Sequence, residues 1–221
     1  LTGRTCPNCP AGQRVVNNVI AKNPEKTFTV NIHAKNIGYS PSDYPNLDVP
    51  AANVYSMAFI DGGIPAVVVN RMEKSDGNMV KIHPASCATY VDEQWKEEAE
   101  VNVAGQVIIN PVTRVATITV EAYYTSDSES ETNYLTIMML QDSIFGSQSG
   151  ASANPDQVVG DQYCHMHALR DVITDTWGDA IAPTTAGSLI TRQYVYNIPE
   201  VIGSPNGVEV DLDNIHFLAF I

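Results

Sequence analysis

Two cysteines two residues apart, Cys6-Pro7-Asn8-Cys9, stand before Pro10 and the apolar-periodic run Val15, Val16, Val19 and Ile20, and they constrain this chain more than any other feature. Such a pair closes a small disulfide ring. A helix beginning there turns its unpaired N–H groups and positive dipole end toward the first sulfur, which favours thiolate, the reactive form. The arrangement reads as a redox dithiol in which Cys6, at the helix start, attacks and Cys9, one turn further in, resolves. Pro7 stiffens the ring, Pro10 sits in the first turn where no N–H is needed, and Arg4 adds positive charge near Cys6.

Further along, Gly62-Gly63-Ile64-Pro65 precedes Ala66-Val67-Val68-Val69. This is the loop, proline and strand order that thioredoxin-like domains place opposite their dithiol. A cis Ile64-Pro65 bond would leave the Ile64 backbone free to pair with an extended substrate. Cys6, Cys9 and Pro65 are therefore the expected catalytic set, with Ile64, Arg4 and Tyr39 as the expected binding groups. Tyr39, Tyr44 and Tyr55 read equally as lining for a peptide groove or as packing residues. Two bland alternatives stand beside the redox reading, a permanently oxidised staple and half of a zinc site. Zinc needs a second ligand pair, and neither Cys87 nor Cys164 supplies one at an obvious spacing.

The 221 residues are 44% apolar and 17% charged, enough for two domains that each bury a core. A formal net charge of −13 argues against a nucleic-acid partner, which needs a basic stripe. No apolar stretch is long enough to span a membrane, and no signal-peptide pattern is present in the chain as given. Four cysteines allow three full pairings; proximity favours Cys6 with Cys9 and leaves Cys87 and Cys164 as two thiols or one bond.

Periodicity predicts a helix over 10–22, a strand over Phe28–Ile32, a helix over Ala51–Phe59 and a strand over Ala66–Asn70. Asp76-Gly77 predicts a tight turn before Met79–Ile82, and the run from Pro84 to Glu98 predicts a second long helix capped by Ser86. After Glu100 the texture changes to strand-like runs at 101–103, 106–109, 116–124, 134–140, 193–196 and 216–220, the spacing of an antiparallel sandwich. The boundary falls near 98–103. The segments Ser126–Thr132 and Gly146–Asp156 read as mobile surface connections. Lys35–Pro50 reads as a loop inserted near the dithiol.

Tyr163-Cys164-His165-Met166-His167 puts His165 and His167 on one face if it is a strand, and Asp161 and Asp171 are nearby in sequence. Two candidate ligands are too few to define a metal site, and histidines hydrogen-bonded inside a sandwich are the commoner case. His33 and His83 flank predicted strands and are expected to be structural or solvated. Nothing calls for a cofactor, and no nucleophile triad, phosphate loop or carboxylate pair stands out.

Thr2-Gly3-Arg4-Thr5-Cys6-Pro7-Asn8-Cys9-Pro10-Ala11-Gly12, the Gly63-Ile64-Pro65 turn, and Tyr163-x-His165-x-His167-x-Leu169-Arg170-Asp171-Val172 followed by Trp177-Gly178-Asp179 resemble the twenty-eight-kilodalton outer-membrane-protein family of Bacteroidetes. The resemblance spans essentially the whole chain. It implies a truncated thioredoxin-like α/β domain over 1–98 and an all-β, immunoglobulin-like antiparallel β-sandwich over 99–221. It also implies a cell-envelope address, in the periplasm or at the outer-membrane surface, reached through a lipoprotein-type signal with a lipid anchor upstream. Most of the strand expected ahead of the dithiol would lie before Leu1, and Cys164 falls where the family tends to have another residue. On this reading the partners are thiols or disulfides of exported proteins. The rival is a non-catalytic surface, adhesion or assembly protein with a structural dithiol.

Overall fold

The computed structural model describes residues 1–59, 63–72 and 81–221. Its helices are α1 (Cys9–Ile20), α2 (Pro50–Phe59) and α3 (Cys87–Gln94). The strands follow in chain order: β1 (Val101–Asn110), β2 (Val115–Tyr124), β3 (Asn133–Gln141), β4 (Ile144–Gly146), β5 (Val158–Val159), β6 (Gln162–His165), β7 (Ala168–Val172), β8 (Asp179–Ile181), β9 (Leu189–Asn197), β10 (Val201–Ile202), β11 (Val208–Glu209) and β12 (Ile215–Phe220). All of their pairings with one another are antiparallel.

One sheet orders β1-β2-β9 and another β12-β3-β7, with β8 also on β3. The patterns along β2 and β3 show how they are layered. In β2, Ala116, Ile118, Val120, Ala122 and Tyr124 are buried while the residues between them are not, the period of a strand with one wet face. In β3 every residue from Leu135 to Gln141 is buried. Leu135, Ile137 and Met139 join the β2 side chains in one core; Met138 and Leu140 turn to a second core with Ile32, Ala34, Val49, Ala52, Tyr55, Phe59 and Leu169. The β12-β3-β7 sheet is thus the middle layer, covered by β1-β2-β9 on one face and by Ile32, Ala34, Val49 and α2 on the other.

The N-terminal segments are tied into that middle layer through the backbone. The Val67 and Ile82 amides each donate to the other's carbonyl at 2.9 Å, the Leu1 amino group donates to the Ala66 carbonyl at 2.9 Å, and the Thr2 amide to that of Ile32 at 3.0 Å. Asn31 then donates to His167 at 2.8 Å and accepts from Leu169 at 3.0 Å. One hydrogen-bonded path therefore runs from Ile82 across the N-terminal half into β7.

Some expected elements differ. Residues 28–32 alternate, but among the described residues their pairing is a bridge at Asn31, followed by one at His33, and Phe28 is 69% exposed. Among the described residues, Val67 and Ile82 form an antiparallel bridge between the two expected strand runs. The long helix expected to Glu98 stops at Gln94; its start is a short 3-10 turn at Pro84–Ser86 capped by the His83 Nδ1, not by Ser86. The two runs at 101–103 and 106–109 are a single strand. The Asp76-Gly77 turn and Met79-Val80 lie outside the described residues.

Candidate functional site

Asn8 begins α1 without a side-chain cap, and Pro10 occupies its first turn. Cys6 and Cys9 are joined by a disulfide with Cα atoms 5.4 Å apart. Pro65 packs on the same helix: a Cβ on Gly12 would stand 2.9 Å from the Pro65 ring, so only glycine permits this approach. The Ile64-Pro65 bond is cis, and the Ile64 carbonyl oxygen lies 3.8 Å from the Cys6 sulfur. Cys6, Cys9, Ile64 and Pro65 are accordingly brought together.

The sulfurs are not open to solvent. Cys6 is 2% exposed and Cys9 fully buried, although an attacking cysteine at a helix start is expected at the surface. A cavity of about 830 Å³ between α1, residues 26–32 and 65–71, and α3 is bordered by Cys9 but not by Cys6. The cover on the Cys6 side comes from residues 146–156, the segment expected to be a mobile surface connection. Gly150, in the left-handed region at φ 71°, sits on Pro7, where an added Cβ would meet the Pro7 carbonyl oxygen at 2.1 Å. The Gln148 side chain donates to the carbonyls of Gly3 at 3.1 Å and Cys6 at 3.2 Å, and the Ser149 amide donates to the Arg4 carbonyl at 2.8 Å.

Arg4 holds the same cover from the other side. Its buried guanidinium donates to the Ser147 hydroxyl at 2.7 Å, the Ser147 carbonyl at 3.3 Å, the Pro45 carbonyl at 2.9 Å, and the carbonyl and carboxylate of Asp43 at 3.0 Å each. With these acceptors Arg4 clamps two loops beside the dithiol. Tyr39, 44% exposed, lends its backbone to this neighbourhood by accepting from the Thr5 amide at 3.0 Å. Tyr44 is also exposed. Tyr55 is buried, stacked on Phe59 and edge-on to Trp177, with its hydroxyl donating to the Thr176 carbonyl at 2.5 Å.

A buried polar network fixes the cover to α1. The Tyr163 hydroxyl donates to Gln13 Oε1 at 2.5 Å and accepts from Asn154 at 2.9 Å; Asn17 donates to Gln157 Oε1 at 3.1 Å, and Gln157 donates to the Cys164 carbonyl at 2.7 Å. Burial pushes the Tyr163 phenol up to about 12, so it remains a donor at neutral pH. The sequence signal for this arrangement is the Tyr163 motif itself. Gln148 and Gly150 carry no such signal, because they act on backbone atoms of a distant segment.

The histidines separate into two environments. His165 is buried edge-on to His33, with ring centroids 5.6 Å apart, and to Tyr163 at 5.2 Å. Burial, then the Arg4 charge, lowers the His165 imidazole to about 4; burial first and then the neighbouring His165 push His33 well below the usual histidine range. His167 turns away into the left-handed region at φ 52°, and its ring meets Asp142 instead. His83 is exposed and caps the 3-10 turn. Cys87 and Cys164 are free thiols that burial pushes above the ordinary thiol value.

The family model for outer membrane protein Omp28 matches residues 52–221. No curated protein sequence matches the chain. Among solved structures, HBP35 of Porphyromonas gingivalis is similar over 99% of this chain, at 20% identity and a TM-score of 0.71. This chain covers 66% of that one, and the likeness is one of fold.

Proposed function

We infer the role of this chain from its family: it belongs to the Omp28 outer membrane proteins and is a protein of the cell envelope. In that oxidising setting disulfides persist, and our reading is that Cys6–Cys9 serves as a covered structural staple in a non-catalytic surface or assembly protein. The architecture we propose is a thioredoxin-like unit over 1–98 joined to an immunoglobulin-like sandwich over 99–221. The fold likeness to HBP35, the cysteine pair at the start of α1 and the packing of Pro65 on that helix support the first unit. The two facing sheets over one core support the second.

The observation that carries the staple reading is the 2% exposure of Cys6 beneath Gln148 and Gly150. Exchange requires a thiolate to approach a sulfur along the S–S axis, so a covered sulfur reacts only when its cover opens. A second reading, thiol–disulfide exchange with exported proteins, is favoured by the Ile64 carbonyl lying against the Cys6 sulfur and by Pro65 packing on α1. In that reaction an incoming thiolate bonds to the Cys6 sulfur, the S–S bond breaks and Cys9 leaves as a thiolate. A second substrate thiolate then attacks the substrate sulfur of the mixed disulfide, forming a substrate disulfide and releasing Cys6 as a thiolate, so that both Cys6 and Cys9 end reduced.

Quenched alkylation during incubation with reduced glutathione separates the two. The staple reading expects reduction of the native protein to be slower than that of the urea-unfolded chain by at least about a hundredfold, and Gln148→Ala to recover part of that difference. Native reduction as fast as unfolded, together with oxidation of a dithiol substrate that Cys6→Ser abolishes, would establish the exchange reading instead.

A further inference from the structure

Asp142 follows β3, His167 precedes β7 and His216 lies in β12, so the sequence gives no hint that they meet. The sheet register brings them together. Gln141 pairs with Ala168 on one side, which sets His167 opposite Asp142; Leu140 pairs with His216 on the other, which sets His216 diagonal to Asp142 on the same face. The carboxylate uses both oxygens: Oδ1 is 3.0 Å from His167 Nδ1 and Oδ2 is 3.5 Å from His216 Nε2. One ligand atom from each residue can be chosen so that all three lie within 4.8 Å of one another.

The position of His167 is built rather than incidental. Its left-handed backbone lifts the ring out of the strand alternation that would have placed it beside His165. Its amide donates to Asp142 Oδ1, its carbonyl accepts from the Asn31 amide at 2.8 Å, and Asn31 Nδ2 donates to the adjacent Met166 carbonyl at 2.8 Å. Two strands and the N-terminal half thereby hold one imidazole against one carboxylate. The second imidazole, on His216, has 45% of its side chain exposed and is free to rotate inward.

We propose that Asp142, His167 and His216 bind a divalent transition-metal ion of the zinc class. Two neutral imidazole nitrogens and one carboxylate oxygen are the donor set such ions take. Bonds of about 2.0–2.2 Å in a tetrahedron require donors about 3.3–3.6 Å apart, so the Asp142–His167 pair at 3.0 Å opens slightly while rotation of the exposed His216 ring closes the wider separations. Three protein donors leave the fourth position to water, and the partial exposure of His167 (34%) opens that position to solvent. The ion ties the ends of β3 and β12 to the β6–β7 turn.

Isothermal titration of the metal-free protein with zinc chloride at neutral pH, paired with cobalt(II) absorption spectra, tests this. One equivalent of zinc is expected to bind, and His216→Ala and Asp142→Asn each to weaken it by at least about tenfold, while His83→Ala, at an exposed histidine away from the cluster, leaves it unchanged. The cobalt spectrum is expected to show four-coordinate d–d bands without a thiolate charge-transfer band. Because His216 is exposed, its replacement is expected to leave the circular dichroism spectrum unchanged, and that variant decides the matter should Asp142→Asn fail to fold. Absence of binding, zinc affinity unchanged in His216→Ala, or a thiolate band pointing to Cys87 or Cys164 would each overturn the proposal.

Discussion

His165 illustrates how one buried ring sets a pH dependence. The folded imidazole titrates at about 4 against an ordinary value of 6.5, because burial and the Arg4 charge oppose its protonation. Below 6.5 the unfolded chain therefore takes up a proton that the native protein refuses, so stability is full above that pH and falls as pH drops toward 4. At about 1.4 kcal/mol per unit the loss from this residue is roughly 3 kcal/mol, and His33 acts in the same direction. Urea midpoints measured across that range should decline with acid, and His165→Phe should flatten the decline. Gly12 makes a separate point. Gly12→Ala ordinarily helps a helix, yet here the new methyl meets the Pro65 ring at 2.9 Å, and the net effect should be a loss of about 1–3 kcal/mol in the same assay.

At the scale of elements, the two long strands of the shared core answer differently to substitution. Met138→Ala and Met139→Ala point to opposite faces of β3, and both should cost about 2–5 kcal/mol because each empties a packed core. In β2 only one face behaves this way: Ile118→Ala should cost a similar amount, and Glu121→Thr, on the exposed face, less than about 0.5 kcal/mol, as thermal unfolding would show. This contrast is legible in the sequence, since 116–124 alternates and Leu135–Leu140 is apolar apart from Thr136. The helix at the cysteine pair and the proline beside it are equally legible, because Pro10 in the first turn and a 3.6 period are local signals. The cover over the dithiol is not. Ser147, Gln148 and Gly150 look like any polar turn, and their hold on Arg4, Cys6 and Pro7 depends on contacts more than 140 residues away in the chain. His167 was visible as a candidate ligand but grouped with His165 by a period of two, which its left-handed backbone breaks; Asp142 and His216 gave no signal because only sheet register unites them.

Across the whole molecule, the second core draws Ala52, Tyr55 and Phe59 from α2 and Met138, Leu140 and Leu169 from the middle sheet, so neither half completes that core alone. Trp95, packed near α3, reports on the first half, and Trp177, edge-on to Tyr55 and Phe59 of α2, reports on the seam between the halves. Single-tryptophan variants Trp95→Phe and Trp177→Phe should therefore unfold at coincident urea midpoints; midpoints well separated would show that the halves open independently. The path from Ile82 through Leu1 and Asn31 to β7 carries a further consequence for biogenesis. Asn31 and Met166 are 135 residues apart in sequence, so a chain threaded through an export channel from its amino end presents Asn31 and the apolar side of α2 long before their partners arrive. Until residues 167–169 emerge, the nascent protein has an unpaired edge and an uncovered greasy face, the two features that invite misassociation.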